Sequence, residues 1–273
     1  AGAPRAYNRQ PRHSNDRENP MPQPDDSSAQ PPNPAVAVTR QDDVATLTLN
    51  LAKQRNPLNP ALVDGLFDAL DRVERDRSLR AVVLTGAGSV FCAGAELGTI
   101  IHPDGLEGEH QFMLLRDCFR LAQRIREFDL PVIAAVNGPA VGGGAALALA
   151  CDLAIAAPSA SYYFAFGRVG AAGCDMGAAY FLPRLVGTMQ AKHWLLTGAS
   201  VDAQTGKDAG LFLEVCPKEE LLARAHALGM QIAENSPRRA TAATKFTLTR
   251  AEESDFQSCI NYDTYVQSFM FTL

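Results

Sequence analysis

A run of hydrophobic residues, a turn of three glycines and a second apolar run organise the middle of the chain. Residues Val132–Val136 have the composition of a buried strand, and the Ala/Leu-rich residues 145–150 favour a helix. The turn Gly142-Gly143-Gly144 between them lets bare backbone approach a ligand closely. The first N–H groups of the helix have no intrahelical acceptor and, with the helix dipole, favour negative charge. The turn is therefore a candidate anion or oxyanion site, and the alternative is a turn whose glycines serve packing alone.

Similar patterns predict the remaining elements. Two short alternating runs, residues 35–38 and Val44–Leu49, predict a β-hairpin, and Pro60 begins a helix with one apolar face. Further strands are predicted over residues 81–85, 152–156, 162–166 and 211–215. Further helices are predicted over residues 111–128, from about residue 178, over residues 191–197 and 203–209, and from residue 218 onward with a break near residues 236–237. Strands alternating with helices through short glycine-containing turns predict an α/β fold with ligand sites at those turns.

The chain divides into three regions by composition. Residues 1–34 are rich in Pro, Asn, Gln, Ser and charge, which predicts a disordered leader, and Met21 is a candidate native start. Residues 35–215 carry the α/β pattern and form the predicted core. Residues 216–273 form a predicted helical region. Neither a dinucleotide-binding fingerprint nor a phosphate-loop motif occurs in the sequence.

Charge and cysteine usage narrow the class of protein. The chain has 273 residues, of which 47% are hydrophobic and 20% charged, as in a soluble globular protein. A net charge of −5 without a Lys/Arg-rich block argues against binding to nucleic acid or to a membrane surface. No apolar run approaches the length of a membrane span. The six cysteines lack metal-ligand spacing, so we expect no metal site, a reducing compartment and a cytoplasmic location.

Three glycine-rich loops contain the candidate chemistry, and they surround Ala95, Gly143 and Asp175. Two backbone N–H groups from different loops can form an oxyanion hole, and a carboxylate in a third loop can move a proton. Asp175 precedes a predicted helix, so its alternative role is that of a helix N-cap. Its small and apolar neighbours predict a raised pKa for this carboxyl group, which suits proton transfer.

Four motifs are characteristic of a known family. They are Leu84-Thr-Gly-Ala-Gly-Ser-Val-Phe-Cys-Ala-Gly-Ala95-Glu-Leu, Pro131-Val-Ile-Ala-Ala-Val-Asn-Gly-Pro-Ala-Val-Gly-Gly-Gly144, Leu182-Pro-Arg-Leu-Val-Gly187, and Leu196-Thr-Gly-Ala-Ser-Val-Asp-Ala203 followed by Ala209-Gly-Leu211. Together they resemble the crotonase superfamily, the enoyl-CoA hydratases and isomerases, from residue 35 to the C-terminus. The resemblance implies a crotonase-like spiral of ββα units. It also implies a C-terminal helical trimerisation region, with trimers often paired into hexamers. The chain ends abruptly for this family, so we expect its last helix to be shortened.

The resemblance also implies a substrate, an acyl thioester of coenzyme A, with no separately bound cofactor. The thioester oxygen would become an enolate-like oxyanion held by the N–H groups of Ala95 and Gly143. Contacts to coenzyme A correspond to Ala95 and Gly143, to the backbone around Ala93 and Leu97, and to the cationic loop at Lys53. In the same loop, Arg55 is a further candidate by position. The alternative for both cations is an ordinary solvated loop charge.

Two departures from the family pattern affect the predicted reaction. Hydratases of this family use two glutamates, at positions where this chain has Ala146 and Phe166. Neither side chain can transfer a proton, which argues against the standard hydration. Asp175 matches the catalytic aspartate of dienoyl-CoA isomerases and the nucleophilic aspartate of haloaryl-CoA dehalogenases. Three hypotheses remain open: isomerase-type proton transfer by Asp175, nucleophilic attack by Asp175 in dehalogenation or thioester hydrolysis, and a non-catalytic binding or assembly module.

Overall fold

The computed structural model describes residues 34–96, 108–173 and 175–272. The predicted leader apart from residue 34, the candidate start Met21 and the candidate ligand Leu97 lie outside the described residues. The strands are β1 Val36–Gln41, β2 Val44–Leu49, β3 Pro57–Leu58, β4 Ala81–Gly86, β5 Gly94–Ala95, β6 Val132–Val136, β7 Pro139–Val141, β8 Leu153–Ala156, β9 Ser161–Tyr163, β10 Ser200–Asp202 and β11 Glu214–Val215. The helices are α1 Pro60–Arg75, α2 Gly108–Arg126, α3 Gly143–Leu149, α4 Ala178–Val186, α5 Thr188–Thr197, α6 Ala203–Asp208, α7 Leu221–Asn235, α8 Arg238–Ala251 and α9 Phe256–Met270.

The main sheet has six strands in the order β1-β2-β4-β6-β8-β11. The predicted hairpin is confirmed, since β1 and β2 pair antiparallel with Val36 opposite Leu49. From β2 onward the strands run parallel. Strands β4 and β6 are buried along their whole length, which explains their continuous apolar sequence. Parallel strands place their carboxyl ends at one edge, where the glycine-rich turns meet.

Two smaller sheets lie beside those turns. Strands β7, β9 and β10 form a three-stranded sheet, and β3 pairs in parallel with β5 through Leu58 and Ala95. Strand β7 enters α3 directly. The smaller sheets therefore fix the main chain of two candidate loops, the one that contains Ala95 and the one that contains Gly143.

The helix predicted to begin at Pro60 is confirmed as α1. The Asn59 side chain caps the helix by accepting from the Leu62 N–H at 3.1 Å, and Pro60 occupies the first turn, where its missing N–H costs nothing. The predicted apolar face is buried, with Leu62 and Leu66 both fully inaccessible to solvent.

Two predicted strands are only partly correct. The strand expected over residues 162–166 ends at Tyr163, and Ala165–Val169 forms a 3-10 helix that Gly170 closes in a left-handed conformation. The strand expected over residues 211–215 is confined to Glu214–Val215. Its first residue, Leu211, instead donates its N–H to the Gly206 carbonyl at the end of α6. In both places a local turn takes the backbone hydrogen bonds that a longer strand would have used.

The C-terminal helices differ in how firmly they join the core. A buried lysine on α8, Lys245, donates to the carbonyls of Ile125 and Leu130 and to the Asp152 carboxylate, at 3.0, 3.1 and 2.7 Å. Helix α9 packs mainly on α8 and buries none of its side chains. Its exposed aromatic residues include Phe256, Tyr265 and Phe269. None of the helices within the described ranges is long and apolar enough to cross a membrane.

Candidate active site

The loops that carry Ala95 and Gly143 lie side by side. The Val141 N–H donates to the Cys92 carbonyl at 2.9 Å, which joins the two chain segments just before the candidate donors. Gly94 adopts a left-handed φ of +76°, and a Cβ added there would collide with the Val141 carbonyl oxygen. That same Cβ would lie 3.2 Å from the Gly143 nitrogen. Two loops that are far apart in sequence thus meet at the predicted oxyanion site.

Gly143 occupies the first position of α3 and is buried. Because it opens the helix, its N–H has no intrahelical acceptor. A Cβ added to Gly143 would lie 2.9 Å from Leu58 Cδ1 and 3.0 Å from Met176 Sδ. The side chains of Leu58 and Met176 therefore enclose this residue, and its N–H is a main-chain donor at a helix N-terminus.

The loop with the two candidate cations is joined to the Ala95 loop through the backbone. The Ala93 N–H donates to the Arg55 carbonyl at 3.0 Å. The side chains of Lys53 and Arg55 are exposed. Both cations are therefore available to a ligand that extends outward from the Ala95 loop.

Sequence reasoning missed Asn56, which holds this loop in place. Its side-chain amide is fully buried and donates to the carbonyls of Ala87, Val90 and Phe91, at 3.1, 2.9 and 3.2 Å. Its φ of 53° is left-handed, a conformation that asparagine tolerates better than most residues. An asparagine between Arg55 and a proline was the available signal, and it indicated only a turn.

Asp175 lies half-buried near α2 and α3. Burial raises the pKa of the Asp175 carboxyl above its ordinary value, while a hydrogen bond from the Met176 N–H opposes the rise, so the predicted direction is confirmed. Across from it on α2, burial raises the pKa of the Cys118 thiol to about 12, and the Asp175 charge adds to that shift. Asp175 is not the N-cap of α4, because Gly177 occupies the cap position without a side-chain hydrogen bond. The alternative role as that helix's N-cap is therefore wrong.

Apolar side chains occupy both positions at which the family resemblance predicts the hydratase glutamates. Ala146 is completely buried inside α3, and Phe166 is 3% exposed. The Phe166 ring lies near the glycine turn, since a Cβ built on Gly142 would be 3.6 Å from its Cε1. Neither of these two side chains can position or ionise water.

A cavity of about 670 Å³ lies elsewhere, between β8, α4, α7 and α8. The Lys245–Asp152 pair lines it, whereas Ala95, Gly143 and Asp175 do not. Within the described ranges, no group of three or more His, Cys, Asp or Glu side chains is placed to hold a metal ion.

The class of protein is an α/β protein with the crotonase fold. The features that define it are the mainly parallel sheet, the two glycine turns at the edge of that sheet and the aspartate beside them. The family model for enoyl-CoA hydratase/isomerase matches residues 39–271, and the chain belongs to this family. The crystal structure of enoyl-CoA hydratase from Bacillus anthracis superposes with a TM-score of 0.82. It is 31% identical in sequence and covers 87% of this chain and 91% of its own.

Two curated relatives catalyse different reactions. A 4-chlorobenzoyl coenzyme A dehalogenase from Arthrobacter sp is 30% identical, and the match covers 84% of this chain and 82% of the relative. The 1,2-epoxyphenylacetyl-CoA isomerase of Escherichia coli K12 is 37% identical, with 70% and 72% covered. Family membership thus implies an acyl-CoA substrate, and the relatives' reactions range from isomerisation to dehalogenation.

Proposed function

We propose that this protein isomerises an unsaturated acyl-CoA thioester, with Asp175 as the acid and base. The Ala95 and Gly143 N–H groups would hold the thioester oxygen while it carries negative charge. Removal of one such donor typically lowers the rate by about 10²–10³. The observation that carries the proposal is the half-buried Asp175 with a raised pKa in a site where Ala146 and Phe166 replace both hydratase glutamates.

The proton transfer can be written for a β,γ-unsaturated acyl-CoA. The Asp175 carboxylate removes a proton from the α carbon, and the C–H electron pair forms a double bond to the thioester carbon while the oxygen gains negative charge. The carbonyl then re-forms, the double bond moves into the α,β position, and the γ carbon takes the proton back from Asp175. No water and no redox partner are consumed.

Deuterium uptake tests this proposal. The protein is incubated in D₂O with trans-3-hexenoyl-CoA, and both the conjugated product and deuterium in the acyl chain are measured. We expect conversion by the wild type and by Asp64→Asn, which alters an exposed carboxylate on α1. Asp175→Asn should lose conversion by about 10²-fold or more, the range of general acid–base catalysis, while calorimetry still detects acyl-CoA binding. Unchanged conversion in Asp175→Asn would exclude Asp175 from the mechanism.

A second reaction is favoured by the dehalogenase relative. In it, an Asp175 oxygen attacks the ring carbon that bears the halogen, chloride leaves with its bonding electrons, and an aryl ester forms. Water then cleaves the ester and restores the carboxylate. Incubation with 4-chlorobenzoyl-CoA, followed by mass spectrometry of the acid-quenched protein, would show an adduct on Asp175. Isomerisation without an adduct favours the first reaction. The absence of acyl-CoA binding at millimolar ligand would favour a non-catalytic module.

Coenzyme A binding is assigned to the loop of Lys53 and Arg55, to the backbone around Ala93, and to Leu97 by family position. Its support is the backbone link between Ala93 and Arg55 beside two exposed cations. Calorimetry with coenzyme A tests this assignment. Lys53→Ala and Arg55→Ala should weaken binding, whereas Lys192→Ala, an exposed cation on α5, should not.

We also propose that the chain assembles into a homo-oligomer, a trimer or a hexamer, through the C-terminal helices. The support is a group of exposed aromatic residues that share one face of α9, namely Tyr262, Tyr265 and Phe269, with Tyr265 at 78% exposure. Exposed apolar patches of this kind mark interaction surfaces. Light scattering coupled to size-exclusion chromatography measures the mass, and a monomer at micromolar concentration would contradict the proposal.

A further inference from the structure

Met176 has a backbone conformation that its side chain disfavours. Its φ and ψ are 47° and 30°, in the left-handed region that bulky residues rarely enter. Gly177 follows with a φ of +87°, so two successive left-handed residues turn the chain into α4. Such a conformation persists where surrounding contacts hold it, and it is characteristic of functional sites.

The contacts that hold Met176 join the two halves of the site. Its side chain is only 3% exposed, and its sulfur lies 3.0 Å from the place where a Cβ on Gly143 would stand. The preceding residue in the chain is Asp175, so the backbone conformation of Met176 affects where the aspartate lies. One residue therefore packs against the proposed oxyanion donor and directly follows the proposed acid in the chain.

We propose that Met176 is a positioning residue that sets the distance between the Asp175 carboxylate and the Gly143 N–H. Its left-handed backbone sets the direction of the Asp175 side chain. Its thioether packs on the glycine turn at Gly143 and so fixes the distance between the carboxylate and the Gly143 N–H. This inference rests on the proposed function. There the Asp175 carboxylate moves a proton from the α carbon to the γ carbon while the Gly143 N–H holds the thioester oxygen. A displacement of about 1 Å in such a geometry can cost about a hundredfold in rate.

Two substitutions separate the thioether contact from the backbone conformation. Met176→Gly keeps the left-handed backbone without strain and removes the contact. Met176→Leu keeps a similar apolar volume, and such swaps are well tolerated. With trans-3-hexenoyl-CoA in D₂O, we expect Met176→Gly to lose about tenfold or more in kcat with little change in KM, and Met176→Leu to stay within about threefold of wild type.

A further readout distinguishes positioning from folding. A smaller folded fraction lowers deuterium exchange at the α carbon and proton delivery to the γ carbon equally. A displaced Asp175 changes the ratio of the two, so we expect a changed ratio in Met176→Gly and the wild-type ratio in Met176→Leu. A wild-type kcat, or a lower kcat with an unchanged ratio, would overturn the inference. If Asp175→Asn loses turnover while Met176→Gly does not, the role of Met176 is excluded and the proposed function stands. If Asp175→Asn keeps turnover, both the proposed function and the role of Met176 are excluded.

Discussion

The Leu58 side chain lies against the Cα of Gly143, with Cδ1 only 2.9 Å from the place of a missing Cβ. Gly143→Ala would therefore force Leu58 and the facing Met176 side chain to move, and the turn that presents the N–H would shift with them. Both neighbours are side chains that can adjust, so we expect the protein to fold. Isomerisation should fall by about 10²-fold, the usual cost of one lost oxyanion donor.

The matched control for that prediction is Gly167→Ala. Gly167 has no heavy atom within 4 Å of an added Cβ and does not adopt a left-handed φ. We expect its activity to remain at the wild-type level. Equal losses in both variants would show that Gly143 contributes no more than backbone flexibility.

Substitutions of Asn56 should lower both the stability of the protein and its affinity for coenzyme A. Asn56→Gly retains the left-handed backbone but leaves the carbonyls of Ala87, Val90 and Phe91 without their side-chain donor. Loss of a buried hydrogen-bond partner costs about 1–3 kcal/mol, and Asn56→Ala should cost more because alanine is strained at a φ of 53°. Urea unfolding measures both values. We also expect weaker coenzyme A binding, since the loop with Lys53 and Arg55 loses its anchor; equal affinity would contradict this.

The ion pair between the buried Lys245 and the partly buried Asp152 side chain should be a main link between α8 and the core. Lys245→Met removes three hydrogen bonds and leaves the Asp152 carboxylate without its cation. Because the Asp152 side chain is 26% exposed, water offsets part of the cost, and we expect a loss of about 1–3 kcal/mol in the free energy of unfolding. Burial raises the pKa of Asp152, so without the lysine the carboxyl should take up a proton more readily.

A double-mutant cycle provides the control for the Lys245 prediction. Asp152→Asn combined with Lys245→Met should recover part of the lost stability, because no unpaired charge then remains at this position. Free energies of unfolding from guanidinium titrations measure each variant. Additive losses would show that the two side chains act independently.

The raised pKa of Asp175 predicts that this residue lowers stability at neutral pH. A carboxyl whose pKa is raised by folding binds more protons in the folded than in the unfolded state, so stability falls as pH rises from the ordinary carboxyl pKa to the raised one. Asp175→Asn should therefore raise Tm at neutral pH, and the gain should shrink below the ordinary carboxyl pKa. A gain that does not depend on pH would point to an effect other than ionisation.

The sequence predicts helices and strands well where interactions between neighbouring residues determine the local structure. The hairpin, α1 and the strand-turn-helix at Gly143 follow from apolar spacing and from caps that need only neighbouring residues. Convergence of the loops at Ala95, Gly143 and Asp175 was predicted from family resemblance. The conformation of Met176 and the anchoring role of Asn56 could not be predicted, because both depend on contacts to distant residues. For Met176, propensity favours a right-handed backbone, and packing against Gly143 prevails.

The exposed aromatic residues of α9 affect the stability of that helix. It comprises fifteen residues, close to the length at which isolated helices are marginal in water, and none of its side chains is fully buried within the subunit. Whatever covers its aromatic residues therefore adds to the helical stability that its packing on α8 provides. In the assembly proposed above, dilution would therefore unwind this segment before it disturbs the sheet. Circular dichroism across a concentration series would show helicity decrease while the tryptophan environment at Trp194, buried in the core, stays constant.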